Sequence, residues 1–255
     1  PNKSVEQYKK FLDYYEVSSD AKLVILHFRS NKSGYSDEDE HFMRNVDPIT
    51  YVAMVEYLCK KDFVVVRIGD AGVDMRINQN KKYIDYANSK FKSGYLDLAL
   101  IADCNFFIGG STGAVYMAAV FGKPILGLNM CLPFNYSPSG KPNEIGLPKL
   151  VRSKVTKKIL SLKDIFEYKV YKVRSSEDPL MKIYELVDND AIDFVNAVKE
   201  IIFLLEKPDK FKSNYQELNN FFRDLDKDFE VDKGSLSKFS LSFFKTYRKK
   251  LLGEK

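Results

Sequence analysis

The sequence predicts an α/β protein: a doubly wound parallel sheet followed by C-terminal helices. Three observations predict it. Strand and helix patterns alternate four or five times between Val24 and Leu128. The strand patterns are apolar throughout, as when helices cover both faces of a sheet. A small, hydroxylated stretch, Gly110-Ser111-Thr112-Gly113, lies between an apolar run and a segment with helical spacing.

The elements follow in order. Residues 1–20 hold a short helix, "VEQYKKFLDYYEV", that reads as an N-terminal helix or an inter-domain linker. "KLVILHF" is a β-branched run of strand length. After the polar loop "RSNKSGYSDEDEHFMRNV", Asp47-Pro48 supplies the N-cap and first residue of a helix, "PITYVAMVEYLCKK". "DFVVVRIGD" is a second strand and "YIDYA" a short third one. Leu96 to Ala102 reads as a helix, "NFFIG" as a strand, Thr112 to Phe121 as a helix and "KPILGL" as a strand. Residues 129–150 carry Pro133, Pro138, Pro142 and Pro148 and read as loop. Beyond them the pattern turns helical: "NDAIDFVNAVKEIIFLLE", "NYQELNNFFRDLDKDF" and "LSFFKTYRKKLL". The chain divides into 1–20, a Rossmann-like domain over 21–150, and a mostly helical extension over 151–255.

Composition bounds the function. Of 255 residues, 45% are apolar and 14% aromatic, so a packed core is expected. The net charge of +5 comes from 40 basic and 35 acidic residues mixed along the chain. That balance permits an anionic ligand or membrane surface, and it lacks the concentrated basic stripe of a nucleic-acid binder. Cys59, Cys104 and Cys131 stand far apart beside apolar residues, with neither metal nor disulfide spacing. They read as buried thiols in a reducing compartment, so a cytoplasmic protein, at most at the inner face of a membrane, is expected. No signal peptide is visible, and no apolar run is long enough to cross a bilayer. The first residue, Pro1 rather than Met, suggests a fragment or a removed N-terminal portion.

In a doubly wound sheet, ligands sit at the carboxyl ends of the strands. The first strand ends in His27 and Arg29, two apart and hence on one side. The second ends in Arg67 and Asp70. The fourth ends in Gly110-Ser111-Thr112-Gly113, at a helix N-terminus. Free amides and the helix dipole favour an anion there, and arginine adds a planar fork for two phosphate oxygens. Each feature has a plainer reading. The glycine turn serves packing equally well, Arg67 suits a carboxylate at the sheet edge, and His27 suits a satisfied core histidine. The run "SDEDE" reads as a solvated charge cluster without calcium-loop spacing. A Walker loop and a G-x-G-x-x-G fingerprint are both missing from the sequence.

The order "LHFR…GY", "RNVDPITYVAMVEYLCKKDFVVVRIGD", "YIDYANS", "LDLALIADCNFFIGGSTGAVYMAAVFGKP", "LGLN" resembles a family of bacterial glycosyltransferases of surface-polysaccharide loci. The match runs from Val24 to Leu162, and more weakly over "KGSLSKFSLSFFKTY". A wider similarity is to fucosyltransferase-like enzymes of the GT-B type, with their H-x-R on the first strand of the donor half, an aspartate on a helix and a Ser/Thr turn. The resemblance implies a GT-B donor half that binds a nucleotide-diphosphate sugar as substrate, with no cofactor. No D-x-D stands at a strand end, so arginine and helix-end amides would take the charge and metal independence is expected. It implies that Arg29 contacts the β-phosphate, that His27 and Asp97 lie near the base, and that Ser111 and Thr112 with their amides hold the diphosphate. Arg67, Asp70, Arg44 and Asn45 join the candidates through "VxRxGD" and "RNxD", with Asp70 a candidate acceptor base. Ser30 stands where the relatives often have a second arginine, which argues against a fucose-type donor. The implied partners are a nucleotide sugar and a glycan or lipid-linked acceptor. Two other functions fit the same residues. One is a nucleotide-binding module that holds a donor without transfer, and the other is a nucleotide-sugar epimerase of related fold.

Overall fold

The computed structural model describes residues 2–30, 42–75, 77, 80–131, 141–173, 175–213 and 238–254. The "SDEDE" run and the helix read at "NYQELNNFFRDLDKDF" lie outside these residues.

A seven-stranded parallel sheet organises the chain. Its strands are β1 (Lys22–His27), β2 (Phe63–Arg67), β3 (Tyr83–Ile84), β4 (Phe106–Gly109), β5 (Ile125–Met130), β6 (Glu144–Pro148) and β9 (Lys238–Phe239). They lie in the order β3-β2-β1-β4-β5-β6-β9, every neighbouring pair parallel. The first six reproduce the 3-2-1-4-5-6 order of the Rossmann fold. Between them, β7 (Leu150–Ser153) and β8 (Tyr184–Val187) form a separate antiparallel pair.

Strand alternation splits the apolar residues between two layers. Leu23 and Ile25 of β1 face α1 (Asn2–Tyr14), α3 (Gly94–Asp103) and α4 (Gly113–Val120), where Phe11, Leu100 and Ala118 are fully buried. Val24 and Leu26 face the other way, toward α2 (Val52–Lys60), α7 (Ala191–Glu206) and α9 (Leu241–Leu252). The short helices α5 (Leu162–Glu167), α6 (Pro179–Ile183) and α8 (Pro208–Ser213) complete the described set.

Local chemistry sets the helix starts. The Asp47 carboxylate accepts from the Ile49 N–H ahead of a 3-10 turn, Pro48–Tyr51, that leads into α2. Asp190 and Asp193 form a reciprocal capping box at α7. Glu200 of α7 accepts from Leu241 and Ser242 N–H, anchoring the start of α9.

Two sequence expectations are corrected. Residues 129–150, read as loop, contain β6, whose five residues are all buried. The stretch after 150, read as helical, also contributes β7, β8 and β9. Glu, Gly and Pro in "EIGLP" are poor strand formers, and only burial between two neighbours makes them a strand.

Candidate functional site

The strand order reverses between β1 and β4, where a Rossmann sheet opens a crevice at its carboxyl edge. Register places His27 opposite Gly109 there. A cavity of about 240 Å³ lies at this point, lined by His27, Gly69, Gly94, Asp97, Ala114 and Met117 among others. That is smaller than a whole small-ligand pocket, so a nucleotide-sized ligand would lie partly outside it.

The His27 imidazole is held from two sides. Its Nδ1 lies 3.0 Å from Thr112 Oγ1. Below it, Gly69 has φ +109, and a Cβ there would sit 2.9 Å from the ring. Only glycine combines that backbone with that closeness. Burial pulls the imidazole down to about 4; the Asp70 carboxylate opposes this, while Arg67 and Lys92 add to it. The ring is therefore neutral near pH 7.

Thr112 occupies the N-cap of α4 yet makes no side-chain cap hydrogen bond. Its hydroxyl is turned to His27 instead. The first turn of α4 thus faces the crevice without a capping side chain, and its amides remain unpaired by the helix itself. Gly110 and Gly113 flank this turn. A Cβ on Gly110 would meet Leu128 O at 3.2 Å, whereas one on Gly113 would meet nothing.

Asp97 lies in the first turn of α3 and lines the same cavity. Burial pushes its carboxyl up, against the opposing pull of Tyr86 and Lys92. Arg29, two residues past His27, forms an isolated parallel bridge with Asn45. Arg44 closes the short 3-10 turn just before it.

The remaining predicted residues are spent elsewhere. Arg67 is 1% exposed. Its Nε donates to Asp85 at 2.7 Å and its Nη1 to Asp70 O at 3.0 Å. The guanidinium thus locks β2 to the end of β3 and is enclosed by protein. The Ser111 hydroxyl accepts from Cys131 N–H at 3.1 Å and lies 3.9 Å from Met130 Sδ. It ties the turn to the end of β5, leaving the Ser111 backbone rather than its hydroxyl for the crevice. The structure therefore brings together His27, Thr112, Asp97, Gly110 and Gly113. Asp70 sits close enough to act on the His27 charge, while Arg67 and the Ser111 side chain turn away.

Sequence reasoning missed Asp85, the partner of Arg67. An arginine in an apolar strand implies a nearby carboxylate, and "YIDY" offered one. It also missed Lys149 and Asp188, which pair at 2.7 Å on the other face of the sheet. No spacing links two residues so far apart.

Among the described residues no group of three or more His, Cys, Asp or Glu is arranged to hold a metal ion. No described helix is long and apolar enough to cross a membrane.

These features define an α/β protein of Rossmann topology with a crevice at the β1/β4 switch point. No protein-family model matches the chain, and no curated protein matches it. Among solved structures it is similar to the ADP-heptose LPS heptosyltransferase II of E. coli: 14% identity, TM-score 0.36, 48% of this chain and 37% of that one. It is also similar to a glycosyl transferase family 9 structure from Veillonella parvula: 13% identity, TM-score 0.48, 79% of this chain and 52% of that one. The chain spans about half or less of the length of each protein.

Proposed function

We propose that the crevice binds a nucleotide-diphosphate sugar, and that the protein is a glycosyltransferase of GT-B type passing this sugar to a glycan or lipid-linked acceptor. One observation carries the reading. The α4 N-terminus lies at the switch point with its capping hydroxyl diverted to His27. The uncapped amides and the helix dipole suit a diphosphate.

The chemistry follows from these groups. Departure of the diphosphate builds negative charge on the bridging oxygen. Amides at Gly113 and Ala114 would bind that charge, and the motif resemblance assigns the Arg29 guanidinium to the same diphosphate. These donors make the reading metal-independent. Neutral His27 and the half-buried Asp97 would hydrogen-bond the nucleoside. Asp70 is the candidate base for the acceptor hydroxyl. The motif resemblance likewise implies Arg29 at the β-phosphate and His27 and Asp97 near the base, but it places Ser111 and Thr112 at the diphosphate.

Calorimetry with UDP, GDP, CDP and ADP tests this reading. Arg29→Ala should weaken nucleoside diphosphate binding by about one to two orders of magnitude, for a charged hydrogen bond of roughly 1.5–3 kcal/mol. Binding of the bare nucleoside should hardly change, and EDTA should have no effect. Equal diphosphate affinity in parent and variant would sink the reading. Diphosphate binding without turnover of any nucleotide sugar would leave a binding module.

A further inference from the structure

A second, larger space opens on the α2/α7 face of the same sheet edge. This cleft, about 850 Å³, is lined by the segment before α2, by Lys149, by β8 and by Asp188. The volume is in the range of small-molecule sites. It meets the crevice through one strand end: Arg29 bridges Asn45, which lines the cleft, and Arg29 O accepts from Val46 N–H at 3.0 Å.

The cleft holds a buried ion pair. The Lys149 side chain is 5% exposed, and its ammonium lies 2.7 Å from Asp188 Oδ1 and 2.8 Å from Asn45 O. An ammonium has three protons, and these contacts account for two. The Asp188 side chain is 29% exposed, and the contact to Lys149 uses one carboxylate oxygen. A donor and an acceptor therefore stand side by side at the lining. Buried ion pairs seldom raise stability over an apolar replacement, so this one calls for another reason.

The other charged groups of the lining are each engaged within the protein. Glu185 pairs with Arg152 at 2.7 Å, Lys154 donates to Met181 O, and Asp47 caps Ile49 N–H. The lining carries two lysines against three carboxylates. That composition suits neither a phosphate nor a carboxylate ligand. Apolar walls come from Phe42, Pro48, Met181 and Tyr184. The Tyr184 ring lies nearly parallel to Tyr168, at 9° and 6.1 Å, which fixes its plane.

We propose that this cleft binds a neutral sugar, one hydroxyl accepting from Lys149, its neighbour donating to Asp188, and a C–H face resting on Tyr184. A vicinal diol matches an adjacent donor and acceptor, and an aromatic plane matches the apolar face of a pyranose. Naming this sugar the acceptor rests on the transfer reading above, whereas its binding does not.

Saturation-transfer NMR with glucose, galactose, mannose, N-acetylglucosamine, lactose and maltose tests the site, with inorganic phosphate as competitor. At least one neutral sugar should receive saturation, undiminished by phosphate. Its affinity should fall about tenfold or more in Asp188→Asn and in Tyr184→Ala. Tyr184→Ala leaves the ion pair intact and decides the matter if Asp188→Asn fails to fold. No transfer to any of the six sugars, displacement by phosphate, or a folded Tyr184→Ala variant that binds like the parent would overturn the site. Sugar binding in a protein that binds no nucleoside diphosphate would uphold the cleft and sink the transfer reading. Nucleoside diphosphate binding without sugar binding would do the reverse.

Discussion

The crevice and the cleft lie on opposite faces of one sheet edge, and they are built by different means. The crevice is made of strand ends and helix starts between His27 and Met117. Backbone geometry and one neutral hydrogen bond, Thr112 to His27, hold it. The cleft draws on segments from Phe42 to Asp188 and is held by ion pairs. A site made of consecutive βα turns inherits its shape from the fold. A site made of distant segments must be pinned by its side chains.

That contrast orders the expected effects of substitution. Asp188→Ala leaves the Lys149 ammonium buried beside an apolar methyl, and should cost about 3 kcal/mol or more in urea unfolding. Replacing both partners, Lys149→Met with Asp188→Leu, should recover most of that loss. A single-variant cost below that of the crevice hydrogen bond would break the contrast.

His27 gives a pH signature to the crevice. Its folded value, about 4, lies below the unfolded value of 6.5, so the unfolded chain takes up the proton first. The contribution is complete above pH 6.5, declines as pH falls through that value, and levels off below about 4. The total is about 3 kcal/mol. Unfolding curves for the parent and His27→Gln should diverge over that window. Parallel curves would show the imidazole to be freely protonated in the fold.

Gly69→Ala places a Cβ against the His27 ring at a φ of +109. A loss of roughly 1–3 kcal/mol is expected, with weaker nucleoside diphosphate binding as the ring is displaced. Thr112→Val removes the hydroxyl bonded to His27, for about 1 kcal/mol. An unchanged melting temperature in both variants would mean that neither the Gly69 backbone nor the Thr112–His27 hydrogen bond holds the crevice.

How far each region was legible follows from the same difference. β1, β2, β4 and β5 announce themselves as apolar runs, and their order along the chain fixes where the crevice falls. His27, Asp97, Thr112 and the glycines around it were readable because each sits at the end of a recognisable element. Arg67 was legible only as a choice between ligand and ion pair, and its partner Asp85 emerges from β3 folding alongside. β6 was hidden because its residues disfavour strands. The Lys149–Asp188 pair was hidden because it depends on how β6 and β8 are brought together. Neither residue lies in a pattern that periodicity detects.

The seventh strand has a bearing on how the chain is made. β9 pairs with β6 but arrives from far along the sequence, after α7 and α8. On the ribosome, the six preceding strands emerge first, and β6 then waits with an unpaired edge, a template for a second chain. The closing strand is delivered together with α9, whose start is clasped by Glu200 of α7. A chain halted after α7 would expose the β6 edge and lose the core side chains Phe239, Phe243, Phe244 and Leu251. Its mark in the cell would be association through β6.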